Sequence, residues 1–531
     1  MRLRPGVVPA LSWLLAGLLP GGPTLAADPP SGFLPRFDLD PGRSEVLPPE
    51  VDLIRLAFHG EYQLRGQLQS DPPLLPPPSD PGADSLGQRG KILQWFRVTP
   101  RLQITTHGEI VGQIDLLRGL AAGATTRHVD AAATPESRAN PLTVDPRWLY
   151  VELPSKVGRL RLGAQPLHQG IGLLFNDGDR PTLFGDYQRG DSAAQAQLTL
   201  RPGGRTGRLA LWASGGVILR DAWAKLTDGD LARQGMVGLT VGSDMTQVGA
   251  FGAIRSQRRQ EDAQAAERPV LERLEAQILD LHGRFATRAP GASAYLFGEG
   301  EAALVRGEIE ESGGEPRRLL AWGGALRLGV AHEATARGER FADAVVSVAW
   351  GNASGDNNPR DGVERRFGMS PNHNVGLVLF DHLLHAQTAR AATLARGIPA
   401  GERPAGVVLY PSNGGVAGAS YVNPTLVLRP GPRLDLKVGV VVAQATADVV
   451  DPYRLARTGE RASHPGGPAS SRDLGIELDG GVEWRHPLSF GMSLQLGVQA
   501  GVLFPGGAFE DASRAGLGPQ GLAVSRVGFQ Y

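Results

Sequence analysis

From Leu56 onward the chain alternates between apolar and polar positions. Leu56, Phe58, Gly60, Tyr62, Leu64, Gly66 and Leu68 share one parity, and Arg55, His59, Glu61, Gln63, Arg65 and Gln67, with Ala57, share the other. Successive side chains of a strand point to opposite faces, so this period predicts one apolar wall and one wet wall. The next block repeats it: Phe96, Val98, Pro100, Leu102 and Ile104 against Arg97, Thr99, Arg101, Gln103 and Thr105. After a tight turn at His107-Gly108, Ile110, Gly112, Ile114 and Leu116 alternate against Glu109, Gln113 and Asp115. Pro100 lacks a ladder donor, which predicts a local bulge or a weak pair.

Further strands are expected near 147–154, 157–165, 193–201, 207–219, 234–241, 246–255, 272–285, 291–306, 317–331, 340–351, 416–429, 432–446, 472–485, 488–503 and 520–531. The total is about eighteen, with sixteen as the alternative, and most are long enough for a tilted membrane crossing of ~9–11 residues. Glu261 to Asp280 also reads as a short amphipathic helix, and a strand from near Leu274 is preferred there.

The connections decide the architecture. Short ones (His107-Gly108, Pro154-Ser155-Lys156, 202–206, 242–245, Pro430-Gly431, His486-Pro487) alternate with long polar ones spanning roughly 69–90, 119–146, 166–192, 256–271, 352–415 and 447–471. Outer-membrane barrels have short periplasmic turns and long external loops, whereas a soluble sandwich has no reason to keep that alternation. The expected fold is therefore all-β, a single transmembrane antiparallel barrel over 51–531. Of the long loops, 352–415 is expected to fold over or into the mouth, with Val378 and Phe380 anchoring it on one face of an extended piece.

Composition is compatible and excludes several alternatives. The 531 residues are 41% hydrophobic with 72 glycines, an average that suits alternating lipid-facing and lumen-facing positions. Lys+Arg and Asp+Glu are both 54, so no basic field supports a nucleic-acid partner. The chain has no cysteine, which removes disulfides, thiol catalysis, a cysteine-linked lipid anchor and zinc–cysteine sites. Arg2, Arg4, the apolar run Val7 to Leu19 and Thr24-Leu25-Ala26 read as a signal peptide over 1–26, followed by a Pro- and Gly-rich periplasmic lead-in over 27–50. The last strand places Ala523, Ser525, Val527, Phe529 and Tyr531 on one face, and its aromatic end resembles the signal read by the barrel assembly machinery.

Three patches carry a resemblance. Arg159-Leu-Arg-Leu-Gly-Ala-Gln-Pro to Gly170-Ile-Gly-Leu-Leu-Phe-Asn-Asp-Gly178, Ala353-Ser-Gly-Asp-Asn-Asn-Pro359 and Asn374-Val-Gly-Leu-Val-Leu-Phe380 resemble the alginate-export type of outer-membrane porin and a related uncharacterised barrel family of similar length. The resemblance implies an eighteen-strand barrel conducting polyanionic or small polar solutes.

Candidate chemistry is sparse. His59, Glu61 and Arg65 share a wet face and could form an acid–base site, but pore lining explains them more simply. No G-x-S-x-G, H-E-x-x-H or P-loop occurs, and no cofactor or metal is expected. Asp356-Asn-Asn-Pro-Arg-Asp-Gly362 offers oxygen ligands of the type calcium prefers, but without the EF-hand spacing or its closing glutamate. The lumen is then the site. Arg97 and Arg101 on the second strand are expected to face Glu299 and Glu301 on the eleventh, with Arg159, Arg161, Glu61 and Arg65 also lining the pore. The expected function is a porin-like channel, not an enzyme, passing small polar or charged solutes (an oligo- or polysaccharide among them) through the outer membrane of a Gram-negative bacterium. Its expected surroundings are outer-membrane lipid and lipopolysaccharide. A plugged structural or surface-attachment barrel is the second reading. A barrel-embedded hydrolase is the third, since its serine and histidine need not be neighbours in sequence.

Overall fold

In this computed structural model, residues 54–531 are described except 76–81, 83, 88, 105–107, 124–143, 180–182, 185–189, 204–206, 244, 260–270, 312–313, 337–338, 400–401 and 403. The expected signal peptide, the lead-in and the turn residue His107 lie outside the described residues.

Eighteen strands run round the sheet: β1 (Ile54–Gln69), β2 (Gly90–Ile104), β3 (Gly108–Gly123), β4 (Val144–Pro154), β5 (Gly158–Pro166), β6 (Ser192–Leu200), β7 (Leu209–Arg220), β8 (Asp230–Gly242) and β9 (Thr246–Arg259), then β10 (Leu271–Thr287), β11 (Ala294–Glu311), β12 (Arg317–Ala336), β13 (Glu339–Ala353), β14 (Ala419–Gly431), β15 (Leu434–Ala445), β16 (Asp473–Pro487), β17 (Ser493–Phe504) and β18 (Gln520–Gln530). Each pairs antiparallel with its sequence neighbours, and β1 pairs with β18 from Glu61 opposite Gln530 to Gln69 opposite Leu522, which closes the ring. Closure leaves no open edge, the condition for a sheet to stand in hydrocarbon. A two-residue segment, Val363–Glu364, adds a parallel bridge beside Arg318 and Leu319 of β12.

The alternation places large apolar side chains outside with nothing to cover them. Leu279, Leu281, Val330, Val346, Val348, Leu478 and Val498 are all exposed on the outer face. A continuous belt of this kind is a lipid contact, not a soluble surface. Trp322 and Trp350 flank it towards one rim, and Trp484, Phe529 and Tyr531 towards the other, as aromatic residues do at membrane interfaces. No helix of the described residues is long and apolar enough to cross a membrane.

One rim carries connections of two to eight residues (105–107 and 201–208, for example) and the other the long ones, 167–191 and 354–418 among them. The five residues between β11 and β12 are an exception on the long-loop rim. The weakness expected at Pro100 is a gap in pairing: β2 and β3 keep one register from Val98–Ile114 to Arg101–Val111, with no bulge there. β10 begins at Leu271, a little before the expected Leu274.

Two long connections turn inward and build an apolar core inside the barrel. Leu173 and Phe184 of one, and Val375, Leu377, Val378, Leu379, Phe380 and Leu383 of the other, pack on Ala303, Ala321, Ala325, Tyr421, Val441, Ala443 and Leu503 of the wall. Val378 and Phe380 are buried as expected of an anchor, but on a helical turn and not on an extended piece. A π-helical turn, Leu379–Leu384, runs into α1, His385–Arg396. A shorter helix, α2 (Pro452–Thr458), follows in the next long connection, capped by Asp451.

Candidate functional site: the lumen and its constriction

The wet parity of β1 to β5 faces inward and is dense in arginine, yet Arg97, Arg159 and Arg161 are neutralised next door. Arg97 of β2 grips Asp115 of β3 through two nitrogens, at 2.7 and 3.2 Å, and Arg118 reaches the same carboxylate at 2.8 Å. Arg159 and Arg161 of β5 both bind Glu152 of β4, at 3.0 and 2.6 Å, and the Arg161 guanidinium lies 4.7 Å from the Tyr150 ring centre. These pairs follow from register, since Arg97 stands opposite Asp115 and Arg161 opposite Glu152 in the ladder. A buried pair of this kind is costly to break, ~3–5 kcal/mol, because one charge is left without its partner. Arg101 lies lower on β2, half-buried. On β1, His59 is exposed near the short-turn rim, Glu61 is half-buried and Arg65 is buried. Glu61 lies across the ladder from Arg97. Arg65 shares a hydrogen bond with Gln67 at 3.4 Å.

β11 stands nine places from β2 in a ring of eighteen. Glu299 points inward and pairs with Arg327 of β12 at 2.6 Å and with Arg284 of β10 at 3.6 Å. Glu301 is buried for another purpose. Its Oε2 accepts the backbone N–H of Ile171 at 2.6 Å and of Leu173 at 3.2 Å. Gly170 makes the approach feasible: it holds φ +59°, and a Cβ there would stand 2.3 Å from Oε2. Arg284 donates to the Gly170 carbonyl at 2.8 Å from the next strand.

The same connection returns to the arginine-rich wall. Asp179 accepts from Arg97 at 2.8 Å and from Arg147 of β4 at 2.6 Å, and Arg147 also donates to the Asp177 carbonyl at 2.6 Å. Its further part reaches β15, where the Leu183 carbonyl accepts from Lys437 at 3.4 Å. The described parts of segment 167–191 therefore touch three walls across the lumen. The Asp179 side chain keeps 27% of its surface exposed while its arginine partners keep under a tenth. It is the member of this cluster that meets the water.

Two more wall glutamates hold the second inserted segment in the same manner. Glu477 of β16 accepts the N–H of Leu377, Val378 and Leu379 at 2.5, 2.7 and 2.8 Å. Glu311 of β11 accepts those of Gly406 and Val408 at 2.7 and 2.9 Å. The inserted segments also bind one another, the Ser370 N–H donating to the Leu173 carbonyl at 2.7 Å. His382 donates to the Ser70 carbonyl at 3.0 Å, and burial pushes its imidazole down to about 4, against the pull of that carbonyl.

The eight residues expected to line the pore all stand on inward positions. The structure does not set an open basic wall against an open acidic one, because the inserted segment binds Arg97 on one side and Glu301 on the other. Asp115 and Glu152 fall on the wet parity and are recoverable from register. Glu477 and Glu311 also fall on inward parity, but their role in docking distant segments had no local signal, and Asp179 lies in a connection with no pattern to place it. In the 356–362 loop, whose oxygens are of the type calcium prefers but where solvation is the simpler reading, Asp356 accepts the N–H of Asn358 and of Arg365, and Asp361 pairs with Arg365 at 2.8 Å. Among the described residues no group of three or more acidic, histidine or cysteine side chains is arranged to hold a metal.

No protein-family model matches the chain, and no curated protein matches it by sequence. Solved structures do. Pseudomonas aeruginosa OccK9 (OpdG) is 13% identical, with 89% of this chain and 97% of that one covered, at a TM-score of 0.50. Acinetobacter baumannii OccAB1 is 11% identical over 89% and 96% of the two chains, at 0.48. The outer membrane protein OprD from Pseudomonas aeruginosa is 11% identical over 89% and 94%, at 0.47. At this identity the similarity to OccK9 concerns the fold, a closed barrel of the same kind over nearly the whole of both chains.

Proposed function

We infer that the chain is a porin-like channel of the outer membrane that passes small polar or charged solutes and is narrowed by the segment 167–191. The observation that carries this reading is Asp179, a partly exposed carboxylate held at the constriction by two buried arginines. Fixed charges of both signs across a narrow wet passage favour dipolar or ionic solutes and reject apolar ones. The apolar belt and the contrast between the two rims favour an outer membrane, with the short turns in the periplasm, lipid and lipopolysaccharide around the wall, and assembly by the barrel machinery through the C-terminal strand. The eight inward charged residues are proposed as lining. Among them Glu61, Arg101 and Glu299 are half-buried and the rest buried, and Glu301 shapes the passage by docking the segment.

The finer resemblance, to alginate-export porins, rests on the sequence patches. A passage narrowed by segment 167–191, with the Asp179 carboxylate exposed in it, favours small solutes over a long polyanion. Proteoliposome swelling tests this. Rapid swelling in small sugars and amino acids, with exclusion of an oligouronate, is the expected result. No swelling in any solute would favour the plugged structural barrel.

A further inference from the structure

The outer surface at the short-turn rim carries a polar group that the channel does not use. Ser293 ends the turn between β10 and β11, His332 lies near the end of β12, and Asp343 near the start of β13. The Ser293 Oγ is 3.0 Å from Nε2 of His332, and Nδ1 of the same ring is 2.7 Å from Oδ1 of Asp343. Two neighbouring strands and the turn leading into a third thus line up a hydroxyl, an imidazole and a carboxylate in the order that acyl-transfer enzymes employ. Both contacts fit one tautomer. With the proton on Nδ1 donated to Asp343, the Nε2 lone pair faces the serine hydroxyl. The ladder fixes the parts, with Ala294 opposite His332 and the Glu333 N–H donating to the Ser293 carbonyl at 2.6 Å.

The group faces outward. On β12, Leu328 and Val330 are exposed to the lipid side, Ala331 is buried inside, and His332 is again exposed. Ser293 is exposed as well, and the Asp343 side chain keeps 34% of its surface. Leu296, Val330 and Val346, all exposed, continue the apolar belt from the site towards the membrane centre. A lipid acyl chain lying along these side chains brings its ester linkage to rim height, where hydrocarbon gives way to headgroups.

We propose that Ser293, His332 and Asp343 form a hydrolase site on the outside of the barrel that cleaves acyl esters of phospholipids in the adjoining leaflet. Ser293 Oγ attacks the ester carbonyl carbon as its proton passes to His332 Nε2, giving a new Oγ–C bond. The carbon–oxygen bond to the glycerol breaks, and the leaving alkoxide takes that proton, so a lysophospholipid departs. Water then gives a proton to Nε2 and attacks the acyl–serine carbon. The Oγ–C bond breaks, the proton returns to Oγ and a fatty acid is released. Ser293 and His332 are the catalytic residues. Asp343 is a positioning residue that holds the ring in the required tautomer. The proposal needs the barrel to stand in lipid but does not depend on the channel reading.

The test uses the purified full chain in phosphatidylethanolamine vesicles and an active-site-directed fluorophosphonate. The wild type is expected to take the label on Ser293 and to release free fatty acid. Ser293→Ala abolishes both while the heat-dependent gel mobility of the folded barrel and its ion conductance stay as they were. Asp343→Asn lowers kcat roughly 10³–10⁴-fold with little change in KM, a split that a merely structural role would not produce. Two results would overturn the proposal: a folded wild type that neither labels nor releases fatty acid, or a Ser293→Ala protein that still does.

Discussion

Arg97 and Glu301 stand nine strands apart on facing walls, and both hold the same connection: Arg97 through Asp179, Glu301 through the N–H groups of Ile171 and Leu173. The passage is therefore set by how firmly a loop is tied at two points, more than by the bare radius of an eighteen-strand ring. Glu301→Gln keeps one acceptor but turns an amide N–H group towards the donors of Ile171 and Leu173, and each hydrogen bond it weakens contributes ~0.5–1.5 kcal/mol. Single-channel records of this variant should show greater current noise and a larger mean conductance. Records identical to wild type would mean that Glu301 does not restrain the loop.

The same argument applies to Glu477, which collects three N–H groups at the start of the helical turn before α1. Glu477→Gln should free the segment from 374 to 396, seen as faster tryptic cleavage after Arg396 at unchanged barrel stability. A protected Arg396 in that variant would show that apolar packing of Val378 and Phe380 suffices.

His382 gives the docking a pH dependence with a definite sign. Its folded value, about 4, lies below its ordinary 6.5, so the folded protein disfavours the proton. The docking energy tied to the neutral ring is fully present above pH 6.5 and is lost as pH falls through about 4, amounting to roughly 3 kcal/mol. Hydrogen exchange over 379–396 should accelerate across that window in the wild type and not in His382→Gln. Equal profiles for the two proteins would remove His382 as the cause.

At the seam, Gly60 and Tyr531 exchange backbone hydrogen bonds at 3.1 and 3.0 Å, and a Cβ on Gly60 would stand 1.9 Å from the Tyr531 ring. Gly60→Val displaces that ring from the closing strand pair. A loss of ~1–3 kcal/mol is expected, the usual penalty of overpacking, read as a lower urea midpoint. Adding Tyr531→Ala should recover part of it. A midpoint that does not move in Gly60→Val would show that the ring is not part of the closure.

Strand positions were legible because each wall is apolar on one parity only, so Leu56 to Leu68 or Val98 to Ile104 carry their own evidence. The eighteen strands and the inequality of the rims followed from that period. The inserted segments were less legible. Residues 167–191 contain short polar stretches that resemble any external loop, and the burial of residues 171–179 depends on Glu301 and Arg97, which are distant in sequence. The helix after Val378 was missed because its apolar positions are short and satisfied by wall residues, not by a helical stripe. Charge pairing was half legible: Arg97 and Asp115 share the wet parity of adjacent strands, whereas Asp179 had no pattern to place it.

The most direct test of the central claim, a narrow charged passage governed by the inserted segment, is the reversal potential of the purified protein in a planar bilayer under a salt gradient, for the wild type and Asp179→Asn. Removing that carboxylate leaves Arg97 and Arg147 less neutralised at the constriction. The account predicts discrete conductance steps in both proteins and a shift of the variant's reversal potential towards anion selectivity. A folded, heat-modifiable barrel that carries no current, or one whose selectivity is unchanged by the substitution, would contradict it.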